Sequence, residues 1–361
     1  MTRRPTARPA GRSSGRLRRT LLAGLVAAAV VFPVSAAASP EVPAPAPAVL
    51  PETAPLPARY AANLANLGEA ARTAQEADRG GRAARLRAME AGGEARFLVF
   101  DGRGKGRATE VFGDLESADR VAVLVPGSDT TLDTYQRFRA GAVALQQRIQ
   151  AEHPRSAVVA WLGYDTPGTV SPTVLTTARA DRAAAELGPF LTRLERMAAP
   201  DARLSLLCHS YGSVVCARTG TGPGVTDIAL FGSPGTGADS AAGLPTRARV
   251  WAGRGADDWI AHVPHISFGG LGFGADPVDP AFGALPFAAG AGGHSDYLKP
   301  GTESLDSLAG IVLAASPAAR PATAASVSPV APPLAPPLAP TSASLLAPSA
   351  VTAPEASRAH A

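Results

Sequence analysis

Residues 204–212 read Leu204-Ser-Leu-Leu207-Cys208-His209-Ser210-Tyr211-Gly212, an apolar run that leads into a serine between small or polar neighbours. The apolar run is typical of a buried strand, and the residues after Ser210 predict a helix. A sharp turn between this strand and helix would present the Ser210 hydroxyl at the carboxyl end of the strand. Such a turn needs small residues on both sides, and Cys208 stands where glycine is commonest. The stretch therefore predicts a nucleophile on a strand-to-helix turn of an α/β sheet.

The sequence around this turn alternates between short apolar runs and helical patterns. The strand before Ser210 is predicted at 203–207, and further strands are predicted at 121–125, 157–161, 226–231, 248–252 and 284–288. Helices are predicted at about 131–151, 173–198, 211–218 and 303–315. Short continuous apolar runs between helices indicate a mostly parallel sheet with helices on both faces. Ahead of this core, an amphipathic helix near residues 60–71 and a hairpin of 97–100 with 108–112 are predicted, and Gly102, Gly104 and Gly106 belong to the turn of that hairpin.

Composition divides the chain into four segments. Residues 1–38 hold seven arginines and no acid, then an apolar stretch and small residues, which predicts a secretory signal peptide cleaved after Ala38. Residues 39–58 are rich in proline and alanine and predict an extended linker that forms no helix. Residues 59–315 are long enough for one large core, and residues 316–361, rich in Ala, Pro and Ser, predict a disordered tail. The protein is expected to be secreted or associated with the cell wall.

The charge and cysteine content exclude several classes of protein. The formal charge of the whole chain is +4, and without the seven leader arginines the remainder is near −3. No basic patch interleaved with aromatic residues remains, so we expect no nucleic-acid partner, and membrane contact only through the leader during export. Cys208 and Cys216 are the two cysteines, and we expect two buried thiols, because a strand end and the second turn of a helix should lie too far apart for a bridge.

The chain resembles a known family across most of residues 60–310. The resemblance rests on five stretches: Val123-Leu-Val-Pro-Gly-Ser128, His209-Ser-Tyr-Gly-Ser213, Phe231-Gly-Ser-Pro-Gly235, Asp257-Asp-Trp-Ile260 and Gly293-His-Ser-Asp-Tyr297. They are similar to the α/β-hydrolase fold, and within it to the actinobacterial hydrolases grouped as DUF1023, a domain of unknown function. The resemblance implies an α/β-hydrolase fold with the chain order nucleophile, acid, histidine. It also implies an oxyanion site built from two backbone amides.

The implied order assigns roles to particular residues. Ser210 would be the nucleophile, Asp258 the acid and His294 the base, with the neighbouring Asp257 as second choice for the acid. An aspartate pair in a loop is also common turn chemistry, so a structural role for both stays open. The amides of Ser128 and Tyr211 would bind the oxyanion, although Pro126-Gly127 before Ser128 is also an ordinary turn signal.

Three other histidines compete for a role. His209 neighbours Ser210 but should point away from it, which favours packing or polarity on the substrate side. His262 and His265 form an H-x-x-H pair without a third ligand, so no metal site and no cofactor are expected. Between the acid and the base, residues 268–287 carry Phe268, Leu271, Phe273, Phe282, Leu285 and Phe287. These side chains would line an acyl pocket or be buried in the core, and the sequence does not decide between the two.

Together these features predict an exported serine hydrolase, esterase-like or lipase-like, that acts through an acyl-enzyme on Ser210. The substrate would be a small-molecule or lipid-like ester. Two alternatives stay open: an acyltransferase that uses the same three residues, and a secreted binding module that keeps the fold without turnover. A surface-anchored protein that acts through its tail is a lower alternative. Oligomeric state is not predicted.

Overall fold

A computed structural model describes residues 42–91, 95–267 and 271–314. It contains one eight-stranded sheet in the order β1-β2-β4-β3-β5-β6-β7-β8. Strand β2 is antiparallel to both β1 and β4, and every other neighbouring pair is parallel. The strands are β1 Phe97–Asp101, β2 Arg107–Gly113, β3 Arg120–Val125, β4 Ser156–Leu162, β5 Arg203–His209, β6 Val225–Phe231, β7 Arg249–Gly253 and β8 Leu285–Pro286. The predicted mostly parallel sheet and the β1–β2 hairpin are confirmed.

Helices cover both faces of this sheet. They are α1 Leu56–Glu76, α2 Gly80–Glu90, α3 Tyr135–Gln150, α4 Ala178–Met197, α5 Tyr211–Arg218 and α6 Glu303–Leu313. Alternate side chains of β3 point to opposite faces: Val121 and Val123 pack in the cluster with α4 and α5, whereas Ala122 and Leu124 pack in the cluster with α3 and α6. Because both faces are buried, β3 reads as a continuous apolar run without alternation in the sequence.

The N-terminal helix begins earlier than the proline content suggests. α1 starts at Leu56, inside the segment predicted as a linker, and Pro57 lies in its first turn. The prediction that this segment forms no helix was wrong for its last residues. The first amides of a helix have no intrahelical acceptor, so a proline there costs no hydrogen bond. Before Leu56 the chain is irregular, and the Ala46 carbonyl accepts a hydrogen bond from the Asn66 side chain on α1. The predicted leader, 1–38, and tail, 316–361, lie outside the described residues. No helix in the described ranges is long and apolar enough to cross a membrane.

The two cysteines form a disulfide, so the expectation of two free thiols was wrong. Cys208 lies near the end of β5 and Cys216 lies in α5, and their Cα atoms are 6.4 Å apart, within the distance that a bridge can span. The physical reason is the sharp turn at Ser210, which folds α5 back over the end of its own strand. Both cysteines are buried, so the bridge lies between the helix and the sheet.

We expect this bridge to stabilise the fold. It closes a ring over a sequence separation of 8 residues. For a ring of that size, the loss of chain entropy in the unfolded state corresponds to about 2.5 kcal/mol. Urea unfolding followed by circular dichroism should therefore show a lower midpoint with a reductant than without one. The reductant reaches the bridge in the unfolded protein and cleaves it there. The Cys208→Ala/Cys216→Ala variant should unfold at a lower urea concentration with or without reductant, and equal midpoints for the oxidised protein and this variant would contradict the expectation.

Candidate active site

Ser210 occupies a strained turn between β5 and α5. Its backbone has φ 51° and ψ −124°, a conformation that a residue with a side chain rarely adopts. The Ser210 amide donates a hydrogen bond of 2.9 Å to the Phe231 carbonyl at the end of the adjacent β6, which ties the turn to the sheet. Ser210 is 8% exposed. The turn therefore holds the Ser210 hydroxyl at the carboxyl edge of the sheet with limited access to solvent.

Two glycines allow this turn to sit close to the neighbouring loop. A Cβ atom on Gly212 would lie 2.5 Å from the Val125 carbonyl oxygen, and one on Gly127 would lie 2.7 Å from the Ser210 Cβ and 3.2 Å from its Oγ. Only a residue without a side chain fits either position, because real Cβ atoms do not approach other atoms so closely. The loop after β3 thus passes directly beside the Ser210 hydroxyl.

Ser210, His294 and Asp258 form a chain of hydrogen bonds. The Ser210 Oγ lies 3.0 Å from His294 Nε2, and His294 Nδ1 lies 2.8 Å from Asp258 Oδ1 and 3.1 Å from Oδ2. With the proton of the neutral ring on Nδ1, that atom donates to Asp258 and leaves Nε2 free to accept the Ser210 proton. Asp258 follows β7, and His294 lies in the loop before α6. The structure thus brings together residues separated by 84 positions in the sequence.

Asp258, and not Asp257, is the carboxylate that contacts the histidine. Asp258 is buried, whereas Asp257 is exposed. Burial by itself would raise the pKa of Asp258, but hydrogen bonds from His294, Tyr297 and the Ile260 amide outweigh burial and hold that pKa below its ordinary value. Asp258 is therefore ionised near neutral pH and can stabilise a protonated His294.

Tyr297 holds this carboxylate, a role that the sequence did not assign. Its hydroxyl donates to Asp258 Oδ2 at 2.6 Å and accepts from the Gly255 amide at 3.0 Å. Burial and the contact with Asp258 raise the pKa of Tyr297, so its hydroxyl keeps the proton that it donates. The pair is 39 positions apart in the sequence, and the signals were that Tyr297 follows His294 closely and ends one of the five stretches that carry the family resemblance.

His209 packs against the rings of Phe231, His294 and Tyr297, which agrees with the packing role that the sequence favoured. In addition, its Nε2 donates to the His294 carbonyl oxygen at 2.8 Å, a contact that the sequence did not indicate. Its ring centre lies 4.8 Å from that of His294. Burial, reinforced by the nearby His294, lowers the pKa of His209 to about 3, so the ring is neutral and holds the His294 loop by a single donated hydrogen bond.

The amides of Ser128 and Tyr211 lie in the two segments that border Ser210. Neither amide donates a hydrogen bond to another residue within the described ranges. The loop that carries Ser128 is fixed from outside, because the Tyr164 hydroxyl donates to the Pro126 carbonyl at 2.6 Å. The Asp129 amide donates to the Pro167 carbonyl at 3.0 Å. The loop beside Ser210 is thus fixed by contacts away from the hydroxyl, and neither candidate donor has a competing acceptor in the described residues.

The loop between acid and base divides into buried and exposed parts. Phe273 and Phe282 are buried in the core, Phe287 is half-buried, and Leu271 and Leu285 are exposed, while Phe268 lies outside the described residues.

His262 and His265 do not converge with further ligands. In the described residues, no group of three or more His, Cys, Asp or Glu side chains could hold a metal ion. His265 lies instead 3.3 Å from Asp276.

Residues 101–268 match a family model described as alpha/beta hydrolase. That description is general, so the narrower resemblance to the DUF1023 group stays a prediction. An uncharacterized protein of Mycobacterium tuberculosis is 30% identical over 250 residues, which cover 58% of this chain and 37% of that protein. An uncharacterized protein of Mycobacterium bovis is 28% identical over 184 residues, 46% of this chain and 66% of that protein. The chain thus spans little more than a third of the first of these relatives.

Solved structures of hydrolases are also similar at a low level. The esterase LipW from Mycobacterium marinum has a TM-score of 0.39 at 15% identity, over 68% of this chain and 88% of that one. An α/β serine hydrolase without lid from Xanthomonas campestris has a TM-score of 0.38 at 17% identity, over 61% of this chain and 92% of that one. At TM-scores of this size the likeness supports no statement about activity. By its sheet order and its strand-to-helix turn the chain has the α/β-hydrolase fold, and over residues 101–268 it is similar to the alpha/beta hydrolase family.

Proposed function

We propose that the protein is an exported serine hydrolase that cleaves an ester through an acyl-enzyme on Ser210. The observation that carries the proposal is the hydrogen-bond chain from the Ser210 Oγ through His294 to Asp258. A binding module without turnover does not need this series of hydrogen bonds. The 3.0 Å distance between Ser210 Oγ and His294 Nε2 therefore favours catalysis over that alternative. Export rests on the leader sequence alone.

The proposed reaction has two stages. In the first, the Ser210 oxygen attacks the ester carbonyl carbon while His294 Nε2 takes the serine proton, and the carbonyl oxygen becomes an anion bound by the amides of Ser128 and Tyr211. The carbon–oxygen bond to the alcohol then breaks, and His294 returns the proton to the departing oxygen. In the second stage, water loses a proton to His294 and attacks the acyl-enzyme, which releases the acid and restores Ser210.

Each supporting residue has a distinct part in this reaction. Asp258 stabilises the positive charge on His294 while the histidine holds the proton. Tyr297 and the Ile260 amide orient the carboxylate, and His209 holds the backbone of the base. Besides the ester and one water molecule, the proposed mechanism uses only groups of the protein itself.

A fluorophosphonate probe tests the assignment of the nucleophile. The probe reacts with an activated serine, so the wild-type protein should gain one adduct, mapped by mass spectrometry to the peptide that contains Ser210. Ser210→Ala should gain none.

A matched control separates this result from general loss of structure. Ser295 is an exposed serine beside His294, so Ser295→Ala should be labelled at the wild-type rate. Labelling that persists in Ser210→Ala, or that maps to another residue, would overturn the proposed function.

A further inference from the structure

Two loops near Ser210 carry no formal charge. Residues 166–177 and 259–275 contain no Asp, Glu, Lys or Arg, although such residues make up 18% of the chain. Both segments follow the carboxyl ends of strands, the first after β4 and the second after β7. Loops at a protein surface are ordinarily polar, so two long uncharged segments at one edge of a sheet call for a physical explanation.

These segments expose large apolar side chains to solvent. Of the eight large apolar side chains that are most exposed in the described residues, five lie in the two segments. Trp259 is one of the five, and its ring packs against His294 with centres 4.6 Å apart. The other four are named here the apolar rim: Val170 at 82% exposure, Ile266 at 62%, Leu271 at 52% and Leu175 at 50%. Exposed apolar side chains that cluster beside polar residues often mark a binding surface.

Backbone contacts join the two halves of the apolar rim. The Gly272 amide, next to Leu271, donates to the Leu175 carbonyl at 3.0 Å. The Gly274 amide donates to the Ile266 carbonyl at 3.3 Å. The backbones at Leu175, Ile266 and Leu271 are therefore neighbours, although the two halves lie far apart in the sequence.

The same surface is anchored to the residues that border Ser210. The Tyr211 hydroxyl donates to the Thr176 carbonyl, beside Leu175, at 2.7 Å. On the other side, the Thr169 amide, beside Val170, donates to the Asp129 side chain at 3.1 Å. The loop that carries Val170 and Leu175 is thus held on one side by Asp129, the neighbour of Ser128, and on the other by the hydroxyl end of the Tyr211 side chain.

We propose that the apolar rim binds the acyl chain of the substrate, which would make the substrate an ester of a fatty acid whose chain carries no charged group. This inference rests on the proposed function. In the acyl-enzyme the carbonyl oxygen points to the amides of Ser128 and Tyr211 and the side vacated by the alcohol faces His294. The acyl chain takes the remaining direction from the carbonyl carbon, and we place it along the loop that joins Asp129 to the Tyr211 side chain. The side chains of the rim offer that chain apolar contacts, and the Asp129 carboxylate lies beside Val170, so an acyl group with a terminal carboxylate would be disfavoured. The alcohol side of the ester lies instead toward Trp259 and His294, since His294 protonates the departing oxygen.

A chain-length series tests this inference. Hydrolysis of p-nitrophenyl acetate, butyrate and octanoate is measured at concentrations below micelle formation. Each added methylene that moves from water into contact with the rim raises kcat/KM. The ratio of kcat/KM for octanoate to that for acetate should therefore exceed about ten in the wild type. Leu175→Ser/Leu271→Ser should lower this ratio about tenfold, because both side chains are half-exposed and their loss removes apolar contact area without opening a cavity in the core.

Val99 supplies the matched control. It is 44% exposed on β1, at the opposite edge of the sheet from the β7 and β8 side, so Val99→Ser loses exposed apolar area away from Ser210 and should keep the wild-type ratio. Titration with a small fluorophosphonate counts the folded sites in each variant. A ratio near one in the wild type, or an unchanged ratio in the double variant, would overturn the acyl-chain assignment while esterase activity stands. Absence of both labelling and hydrolysis would overturn the proposed function and this inference with it.

Discussion

Asp258→Asn is expected to lower kcat for ester hydrolysis by about 10⁴-fold. Asp258 accepts the Nδ1 proton of His294, which leaves Nε2 unprotonated toward Ser210. An asparagine at this position can turn its amide N–H group toward Nδ1, which would favour the tautomer with the proton on Nε2. That tautomer cannot accept the serine proton. The variant also loses the negative charge that stabilises a protonated His294.

The neighbouring residue provides the control for this prediction. Asp257→Asn makes the same chemical change one position earlier, at an exposed side chain, and should change kcat by less than about twofold. Steady-state kinetics on one ester, with circular dichroism spectra of both variants, make the comparison. Equal losses in the two variants would contradict the assignment of Asp258 as the acid.

Gly212→Ala is expected to lower kcat by about a thousandfold. A Cβ atom at this position would lie 2.5 Å from the Val125 carbonyl oxygen and 2.8 Å from that of Pro126, and both are backbone atoms that cannot rotate away. The start of α5 must therefore move from β3, and the Ser210 hydroxyl and the Tyr211 amide move with it. Loss of one oxyanion donor alone costs about 10² to 10³ in kcat, and misplacement of the nucleophile adds to that loss.

The same substitution in an open position separates this clash from the general effect of alanine. Gly310 lies on α6, where an added Cβ atom would meet open space, so Gly310→Ala should leave kcat unchanged and slightly raise the melting temperature. Kinetics and thermal unfolding are measured for both variants. A Gly212→Ala protein with wild-type kcat would show that the turn tolerates a side chain and that its close packing has no part in the activity.

The repeated apolar runs made the sheet predictable from sequence. β3 and β5 are buried on both faces, so each reads as a run without alternation, and their boundaries lie within a residue or two of the predicted ones. The start of α1 was less predictable, because proline disrupts the interior of a helix but is accepted in its first turn. The residues around Ser210 indicated a strand-to-helix turn, and the strained backbone conformation of Ser210 is a consequence of that turn.

Contacts between distant segments were beyond the reach of sequence patterns. Ser210, Asp258 and His294 were chosen by their order along the chain, and the structure brings them into contact, while their catalytic role stays a prediction. The hydrogen bonds of Tyr297 to Asp258 and of His209 to the His294 carbonyl join segments 39 and 85 positions apart, and no local periodicity records such pairs. The bridge between Cys208 and Cys216 was missed because its geometry depends on how tightly the turn at Ser210 folds.

That bridge bears on where and when the chain reaches its final form. Both cysteines are enclosed by α5 and the sheet, so an oxidant reaches their sulfur atoms only while α5 is still unpacked. A chain that crossed the membrane unfolded, under the direction of the predicted leader, would meet an oxidising environment at that stage. A chain that folded first in a reducing compartment would bury two thiols beyond the reach of a later oxidant. The oxidation state of this one pair of sulfur atoms would therefore record the compartment in which each molecule folded.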